Sequence, residues 1–164
     1  MDEMRAAPPT AMDRLATLAL AVAATCLVGL VVVQGWQVFA RYVLNNSPSW
    51  TEPITLVLLS TAMSLSAAAG VRNRRHFAFS LLAQALSPRI ERALQAFTSL
   101  LVATIGAVLA VWGWRLWVDG MSIPMAGARL PQSSVYLPLA VGGALMVVFA
   151  LAQLRAPRAT KEGG

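Results

Sequence analysis

The sequence predicts an all-α integral membrane protein with four transmembrane helices, and three observations support this. Of the 164 residues, 57% are hydrophobic and 12% are charged, which is about half the charged share of a soluble protein. The apolar residues lie in four runs whose lengths suit a hydrocarbon core of about 30 Å. The basic residues lie between these runs or at their ends rather than within their cores.

The first run covers residues 15–42 and has no acidic or basic side chain before Arg41. At about 1.5 Å per residue it is longer than the hydrocarbon core, so we expect it to span with a tilt. Residues 1–14 form a leader with both acidic and basic side chains, and the run is too long for a signal peptide, which predicts an uncleaved helix. Thr10 and Asp13 have the spacing of a capping box and predict a helix start before the membrane.

The other three runs have recognisable helix starts. The second, residues 53–71, begins with a proline, which suits a first helical turn because proline has no N–H to leave unpaired. The third follows Ser87-Pro88, a capping pair, and is expected to span over residues 93–117. The fourth, residues 134–154, tolerates Pro138 because the amides of a first turn have no intrahelical partner.

The basic residues are distributed unevenly between the two ends of the runs. The 13 basic residues include only three in the outer segments, namely Arg41, Arg115 and Arg129. The positive-inside rule therefore predicts that both termini, the loop of residues 72–92 and the tail of residues 155–164 are cytoplasmic. We interpret that loop as a topology determinant facing anionic lipid rather than as a nucleic-acid site.

Within this loop, residues 77–86 read FAFSLLAQAL. The stretch is mostly apolar and too short to span, so we expect a short interfacial segment between the second and third helices.

The chain lacks the residues of several kinds of chemical site. Its single cysteine, Cys26, excludes an internal disulfide or a thiolate metal cage. Its single histidine, His76, has no Cys, Asp or second His beside it, so we expect no metal and no cofactor there. The cores of the four runs hold no Asp, Glu, Lys, Arg or His, which argues against an ion or proton pathway. Nothing in the sequence predicts an enzyme.

The aromatic residues form a second asymmetry, because all tryptophans and tyrosines lie near the outer ends of the runs. These residues are Trp36, Trp50, Trp112, Trp114, Trp117, Tyr42 and Tyr136. Two interpretations stay open: a belt at the lipid headgroups, or a docking surface for another protein.

Small residues recur at intervals of four on several runs, a spacing typical of helices that approach closely in membranes. They are Ala21, Thr25 and Gly29 in the first run, Ala62, Ser66 and Gly70 in the second, and Ala140 and Ala144 in the fourth. We expect these faces to pack on each other or on a partner.

Several short motifs occur in an order that resembles one transporter family. They are Arg41-Tyr42-Val43-Leu44-Asn45, Pro48-Ser49-Trp50-Thr51-Glu52, Arg72 through His76, Ser122-Ile123-Pro124 and Tyr136-Leu137-Pro138. The pattern resembles the small membrane subunit (Q-type, DctQ-like small permease) of tripartite ATP-independent periplasmic (TRAP) transporters, over about residues 15–154. Pro53 stands where members of that family commonly carry a second acidic residue.

The resemblance implies an accessory subunit of the bacterial inner membrane that braces a large, sodium-coupled permease subunit. A periplasmic binding protein would deliver an organic acid, and membrane lipids would be the other contacts. Carried over by position, Arg41, Tyr42, Trp50 and Glu52 form an outer structural or partner-facing cluster, and Arg72 and His76 form an inner one. We also expect Arg41 and Glu52 to pair across the loop.

Two other classes of function fit the sequence less well. An autonomous small four-helix exporter is opposed by the missing carboxylate within the spans. A membrane anchor for a redox complex is opposed by the single histidine.

Overall fold

The structure is a computed structural model that describes residues 10–73 and 88–155. It contains four long helices: α1 (Ala11–Tyr42), α2 (Thr51–Asn73), α3 (Pro88–Asp119) and α4 (Ser133–Arg155). A 3₁₀ turn, Gly120–Ser122, follows α3. Each long helix is apolar enough to cross a membrane, which confirms the predicted all-α, four-span class. The expected interfacial segment at residues 77–86 and His76 lie outside the described residues.

The two ends of α1 are defined by local chemistry. Thr10 is the N-cap, and its backbone N–H donates to the Asp13 carboxylate at 3.0 Å while the Asp13 N–H donates to the Thr10 hydroxyl at 3.4 Å. This is the predicted capping box. Beyond the other end, Asn45 has a φ of 49°, and the Asn46 N–H donates to the Ala40 carbonyl at 3.1 Å. Asparagine tolerates this left-handed conformation better than most residues, so it suits the chain reversal after α1.

The helices form an open row in the order α1, α2, α4, α3. Extensive contacts join α1 to α2, α2 to α4, and α4 to α3, and any contact between other pairs of long helices is slight. Two helices that are far apart in sequence, α2 and α4, are therefore neighbours. The described helices do not close into a ring around a central axis.

The contact between α3 and α4 brings two backbones together. The buried positions of α3 and the turn after it recur every seven residues, at Ser99, Gly106, Gly113 and Gly120. A Cβ atom on Gly113 would lie 2.8 Å from the Ala140 backbone nitrogen. In lipid, where burial of apolar surface does not drive helices together, such close approach is a main source of association. We call this contact the glycine seam.

The opposite side of α4 packs equally closely on α2. A Cβ atom on Gly142 would lie 2.6 Å from the Cβ atom of Ser64. The next residue, Gly143, faces α3 instead, so two adjacent glycines serve two different helices. The Ser60 hydroxyl donates to the Val135 carbonyl at 2.7 Å and adds a polar contact to this interface.

The α1–α2 contact uses a different set of small residues from the predicted one. The buried residues of α1 are Ala16, Ala19, Ala23 and Ala40. Nearer the C-terminal end of the helix, the Gln34 amide donates to the Thr55 hydroxyl at 3.1 Å. This polar contact joins α1 to α2 within the spans.

The predicted face of α1 is mostly turned away from α2. Ala21 and Thr25 are exposed, and the Thr25 hydroxyl donates to the Ala21 carbonyl of its own helix. Gly29 alone of the three approaches α2, at Leu58. The reason is geometric: positions four apart drift around a helix of 3.6 residues per turn, whereas alternating steps of three and four follow one seam.

The small residues predicted on the other helices divide in the same way. Ala62 and Ala140 are buried, Ser66 and Gly70 are half-buried, and Ala144 is exposed. Gly70 has open space where a Cβ atom would stand. These outcomes concern packing inside the chain, and the expectation that such faces meet a partner stays a prediction.

Most of the apolar surface of the row is uncovered. In the most apolar stretch of each helix, between 17% and 28% of the residues are buried inside the chain. The remaining apolar side chains require lipid or another membrane protein around them.

The glycine seam can be tested with one substitution and a matched control. We predict that Gly113→Ala lowers the stability of the purified protein by about 1 to 3 kcal/mol, because the new methyl group forces two backbones apart. Gly35 lies in α1 with nothing within 4 Å of the Cβ position. Gly35→Ala should be neutral or stabilising by up to about 1 kcal/mol. Thermal unfolding in detergent measures both, and equal behaviour of the two variants would contradict the seam.

Candidate functional site

The residues proposed from the sequence lie at the two opposite ends of the helix row. The Trp50 end consists of residues 43–50 between α1 and α2 and residues 120–132 between α3 and α4. The Arg72 end consists of the starts of α1 and α3 and the ends of α2 and α4.

At the Trp50 end, the two loops lie against each other. The Ser49 hydroxyl donates to the Gly127 carbonyl at 3.3 Å. Gly127 has a φ of 84°, and a Cβ atom there would lie 2.3 Å from the Ser49 carbonyl oxygen. Glycine is therefore required at this position both by the backbone conformation and by the close approach.

A short hairpin presents Gly127 to the first loop. The Met125 N–H donates to the Leu130 carbonyl at 2.8 Å, and the Gln132 N–H donates to the Ile123 carbonyl at 2.9 Å. Across the contact, fully buried Thr51 donates its hydroxyl hydrogen to the Pro48 carbonyl at 2.8 Å. Each of the two loops is thus held by hydrogen bonds of its own, in addition to the contact between them.

The four outer residues carried over from the family motif are all exposed. Tyr42 and Trp50 expose 76% and 41% of their surface, and Arg41 and Glu52 are exposed as well. The expected pair between Arg41 and Glu52 is not formed: in residues 10–73 and 88–155 the ion pair present is between Asp13 and Arg72.

Each of the two charges has a local reason for its position. Arg41 lies in the last turn of α1 and Glu52 in the first turn of α2. A cation at a helix C-terminus and an anion at a helix N-terminus are both favoured by the helix dipole. Neither charge therefore needs the other across the loop.

Glu52 also lines a cleft of about 370 Å³ between the start of α2 and the hairpin, together with Met125 and Gln132. A carboxylate and an amide side chain are thus grouped beside apolar atoms at the Trp50 end.

The tryptophans of α3 form a separate aromatic group at the same end. The Trp114 and Trp117 rings have their centroids 4.7 Å apart. The Arg115 guanidinium lies 5.5 Å from the Trp112 ring centroid, a cation–π distance. Trp112 and Trp114 are more than half exposed, so these rings are available to lipid or to a partner.

At the Arg72 end, Arg72 joins the last turn of α2 to the cap of α1. Its Nε and Nη2 atoms donate to Asp13 Oδ1 at 2.9 and 2.7 Å, and Nη2 also donates to the Thr10 hydroxyl at 3.3 Å. The Thr10 hydroxyl in turn donates to Asp13 Oδ2 at 2.5 Å. We call these three residues the cap latch.

The cap latch keeps its carboxylate ionised. Asp13 precedes the apolar run that begins at Leu15, so it lies outside the membrane-spanning part of α1. Hydrogen bonds from Thr10, and then from Arg72, lower the pKa of Asp13 from 3.8 to about 2. The charge pair therefore persists at every physiological pH.

Beneath the cap latch, apolar side chains from three helices meet. Ala16, Ala68 and Phe149 are buried together, and half-buried Val71 packs against them. The Gln153 side-chain amide donates to the Val71 carbonyl and attaches the end of α4 to the end of α2. His76, the predicted companion of Arg72, lies outside the described residues.

Two of these features are absent from the sequence-based predictions. Thr10 with Asp13 is predicted as a cap and Arg72 as an inner charge, but nothing in the sequence connects them, because 59 residues separate Asp13 from Arg72. The glycine seam is the second feature, although the spacing of seven residues from Ser99 to Gly120 is visible in the sequence.

The described residues contain no group of three or more His, Cys, Asp or Glu side chains that could hold a metal ion. Cys26 is a half-buried free thiol.

Comparison with protein families decides the class of this chain. The family described as "Tripartite ATP-independent periplasmic transporters, DctQ component" matches residues 30–159. The chain belongs to the DctQ family. It is therefore a multi-pass membrane protein of a family of transporter components, as the motifs at Arg41, Trp50 and Arg72 suggested. Comparison with individually curated proteins gives no match.

The match places most of this DctQ chain, but not its first helical turns, within the family pattern. Thr10 and Asp13 precede residue 30, whereas Arg72 lies inside the matched range. The cap latch thus connects a matched residue to an unmatched segment.

The cap latch predicts a local effect with a defined pH range. Asp13→Asn and Arg72→Gln should each speed amide hydrogen exchange in residues 11–16. The double variant should lose less protection from exchange than the sum of the losses in the two single variants. Because the native pKa of Asp13 is depressed, the stabilisation exists above the unfolded pKa of 3.8 and disappears only as the pH falls towards 2. Protection, corrected for intrinsic rates, should be constant between about pH 5 and pH 8.

The matched control is Arg14→Gln, which removes an exposed neighbouring cation. An equal effect of Arg14→Gln, or strictly additive effects of the two latch variants, would show that the pair does not hold the helix start.

Proposed function

We propose that this DctQ-family chain is an accessory subunit that braces the large permease subunit of a TRAP transporter in the bacterial inner membrane. The large subunit carries the sodium-coupled uptake of an organic acid, and a periplasmic binding protein delivers the acid. The observation that most strongly supports this proposal is the open row of helices, in which the cores of the spans hold no Asp, Glu, Lys, Arg or His.

A carrier requires groups that recognise its substrate and its coupling ion. An anionic substrate needs cations or hydrogen-bond donors, and a cation needs oxygen ligands near the middle of the membrane. In the cores of the described spans the polar side chains are hydroxyls, amides and a thiol, and the Gln34 amide donates a hydrogen bond to Thr55. The coupling chemistry therefore belongs to the partner.

The same row has the properties that a brace needs. The glycine seam and the Gly142–Ser64 contact hold α4 between its neighbours at backbone distance. At the Trp50 end the two loops are joined through Gly127, and at the Arg72 end the cap latch joins α1 to α2. Polar links at both ends oppose sliding of one helix past another, so the row can act as a fixed surface.

The uncovered surface gives the partner a place to bind. Apolar side chains are exposed along all four helices, for example Val28 on α1, Met63 on α2 and Leu100 on α3. A row has two broad faces, and a large membrane subunit on one of them leaves the other for lipid. We assign Tyr42 and Trp50, together with Arg41 and Glu52, to the partner-facing edge at the Trp50 end.

We propose the orientation that the basic residues favour. Both termini and the Arg72 end are cytoplasmic, and the Trp50 end is periplasmic, where it is accessible to the binding protein. Thr10, Asp13 and Arg72 then lie at the cytoplasmic headgroups, where a charge pair does not enter hydrocarbon.

Transport measurements test the bracing role. We predict that proteoliposomes with this chain alone show no sodium-driven organic-acid uptake, because the chain has no coupling residues in its spans. Proteoliposomes with the large subunit, the binding protein and this chain should take up the acid, and omission of this chain should abolish most of the uptake. Uptake by the chain alone, or full uptake without it, would contradict the proposal.

Reporter fusions test the orientation separately. A reporter that works only after export should be active when it is fused after Ser47 or Met125. A reporter that works only in the cytoplasm should be active when it is fused after Gly164. A cytoplasmic signal at Ser47 would invert the proposed topology, and the binding protein could not then reach the Trp50 end.

A further inference from the structure

A second feature of the row has no part in the bracing role: an apolar groove on the surface between α3 and α4. It has a volume of about 540 Å³ and lies in the half of the row nearer the Trp50 end. Its floor is formed by small side chains, namely Ala110 on α3 and Ala140 and Ala144 on α4. Larger side chains form its walls, among them Val111 and Val141.

The groove follows from the glycine seam. Because Gly113 lets the α4 backbone approach at Ala140, the two helices meet along a line of small residues. Bulky side chains stand on either side of that line, with Leu137 on α4 and Trp114 on α3 each more than two-fifths exposed. The result is a narrow furrow that runs between the helices.

The two ends of the furrow differ in charge. One end reaches Arg115, the only charged side chain among the described residues that line the groove, and the other end reaches Ala144 deeper in the row. The Arg115 guanidinium also lies 5.5 Å from the ring centroid of Trp112, which is outside the lining, so the cation stands at the rim of the groove. Tryptophans prefer the headgroup level of a bilayer, so Arg115 stands at the depth where lipid phosphates lie.

From these observations we infer that the groove binds one phospholipid, with an acyl chain along the furrow and the phosphate on Arg115. Leu137 and Ala144 are seven residues apart, so the furrow is about 10 Å long and takes the upper part of an acyl chain. A guanidinium donates well to phosphate oxygens, and its attraction is stronger where water is scarce.

A phospholipid fits this groove better than a helix of another protein. A furrow with an almost wholly apolar lining and one cation at its mouth is complementary to a thin apolar chain with an anionic head. A partner helix packed against the furrow would have to provide an anion for Arg115 at the headgroup level. The inference requires only that the chain is inserted in a membrane, and it does not rest on the bracing role.

The test counts phospholipids that stay bound to the full chain. The protein is purified from membranes in an uncharged detergent, and native mass spectrometry measures the fraction of chains that retain a phospholipid. Ala144→Phe fills the furrow, and Arg115→Gln removes the phosphate ligand. Each should lower the retained fraction about tenfold relative to wild type. This is the loss expected when either the charge-assisted contact to the phosphate or the space for the acyl chain is removed.

Two matched controls separate this site from general lipid association. Ala107→Phe adds the same bulk at an exposed position of α3 outside the groove, and Arg129→Gln removes an exposed arginine from the hairpin. Both should retain phospholipid as wild type does. Arg115→Lys keeps the positive charge and should retain most of the phospholipid that Arg115→Gln loses. Such a result would show that the loss in Arg115→Gln is not due to misfolding.

Several results would overturn the inference. Equal retention in all variants would mean that only unspecific surrounding lipid is bound. Loss in Ala144→Phe but not in Arg115→Gln would exclude the phosphate contact. If the complex with the large subunit carried no lipid and Ala144→Phe prevented its formation, the groove would belong to a partner helix. Failure of the uptake experiment would leave these measurements unaffected, because they use the single chain.

Discussion

The architecture depends on how closely α4 approaches its two neighbours. In lipid, apolar surface gains nothing by leaving one apolar environment for another, so helices associate through packing and hydrogen bonds. Gly142 against Ser64 on one side and Gly143 with Gly113 on the other bring backbones to contact distance. With bulkier residues at these points, α4 would lie farther from α2 and α3, and the connection between the α1–α2 pair and α3 would be lost.

The polar contacts act at the ends of this row, where the glycines do not reach. At the Trp50 end, Gly127 allows the hairpin to lie on the Ser49 backbone. At the Arg72 end, one guanidinium ties the cap of α1 to the last turn of α2. Both links lie where water or headgroups reduce the cost of charge, while the helix interiors use hydroxyls and amides such as Ser60 and Gln34.

The architecture also supports the proposed bracing role. The described helices form an open row that encloses no pathway, and its uncovered faces are available to lipid and to the proposed large subunit. The groove beside Arg115 adds a lipid contact to this view. It would give the edge formed by α3 and α4 a defined position in the headgroup layer.

The sequence by itself determined which segments span, where α1 begins, and which family the motifs resemble, because hydrophobic length, capping and turn chemistry are local properties of the chain. The tertiary structure alone decided that Asp13 pairs with Arg72 and that Arg41 does not pair with Glu52. It also decided that Ala16, Ala19 and Ala23, rather than Ala21 and Thr25, are buried positions of α1. Those outcomes depend on the order and rotation of the helices in the row. Small residues occur on more than one face of a helix, and the local sequence does not show which of these faces packs. Only the packing of all four helices selects one of them.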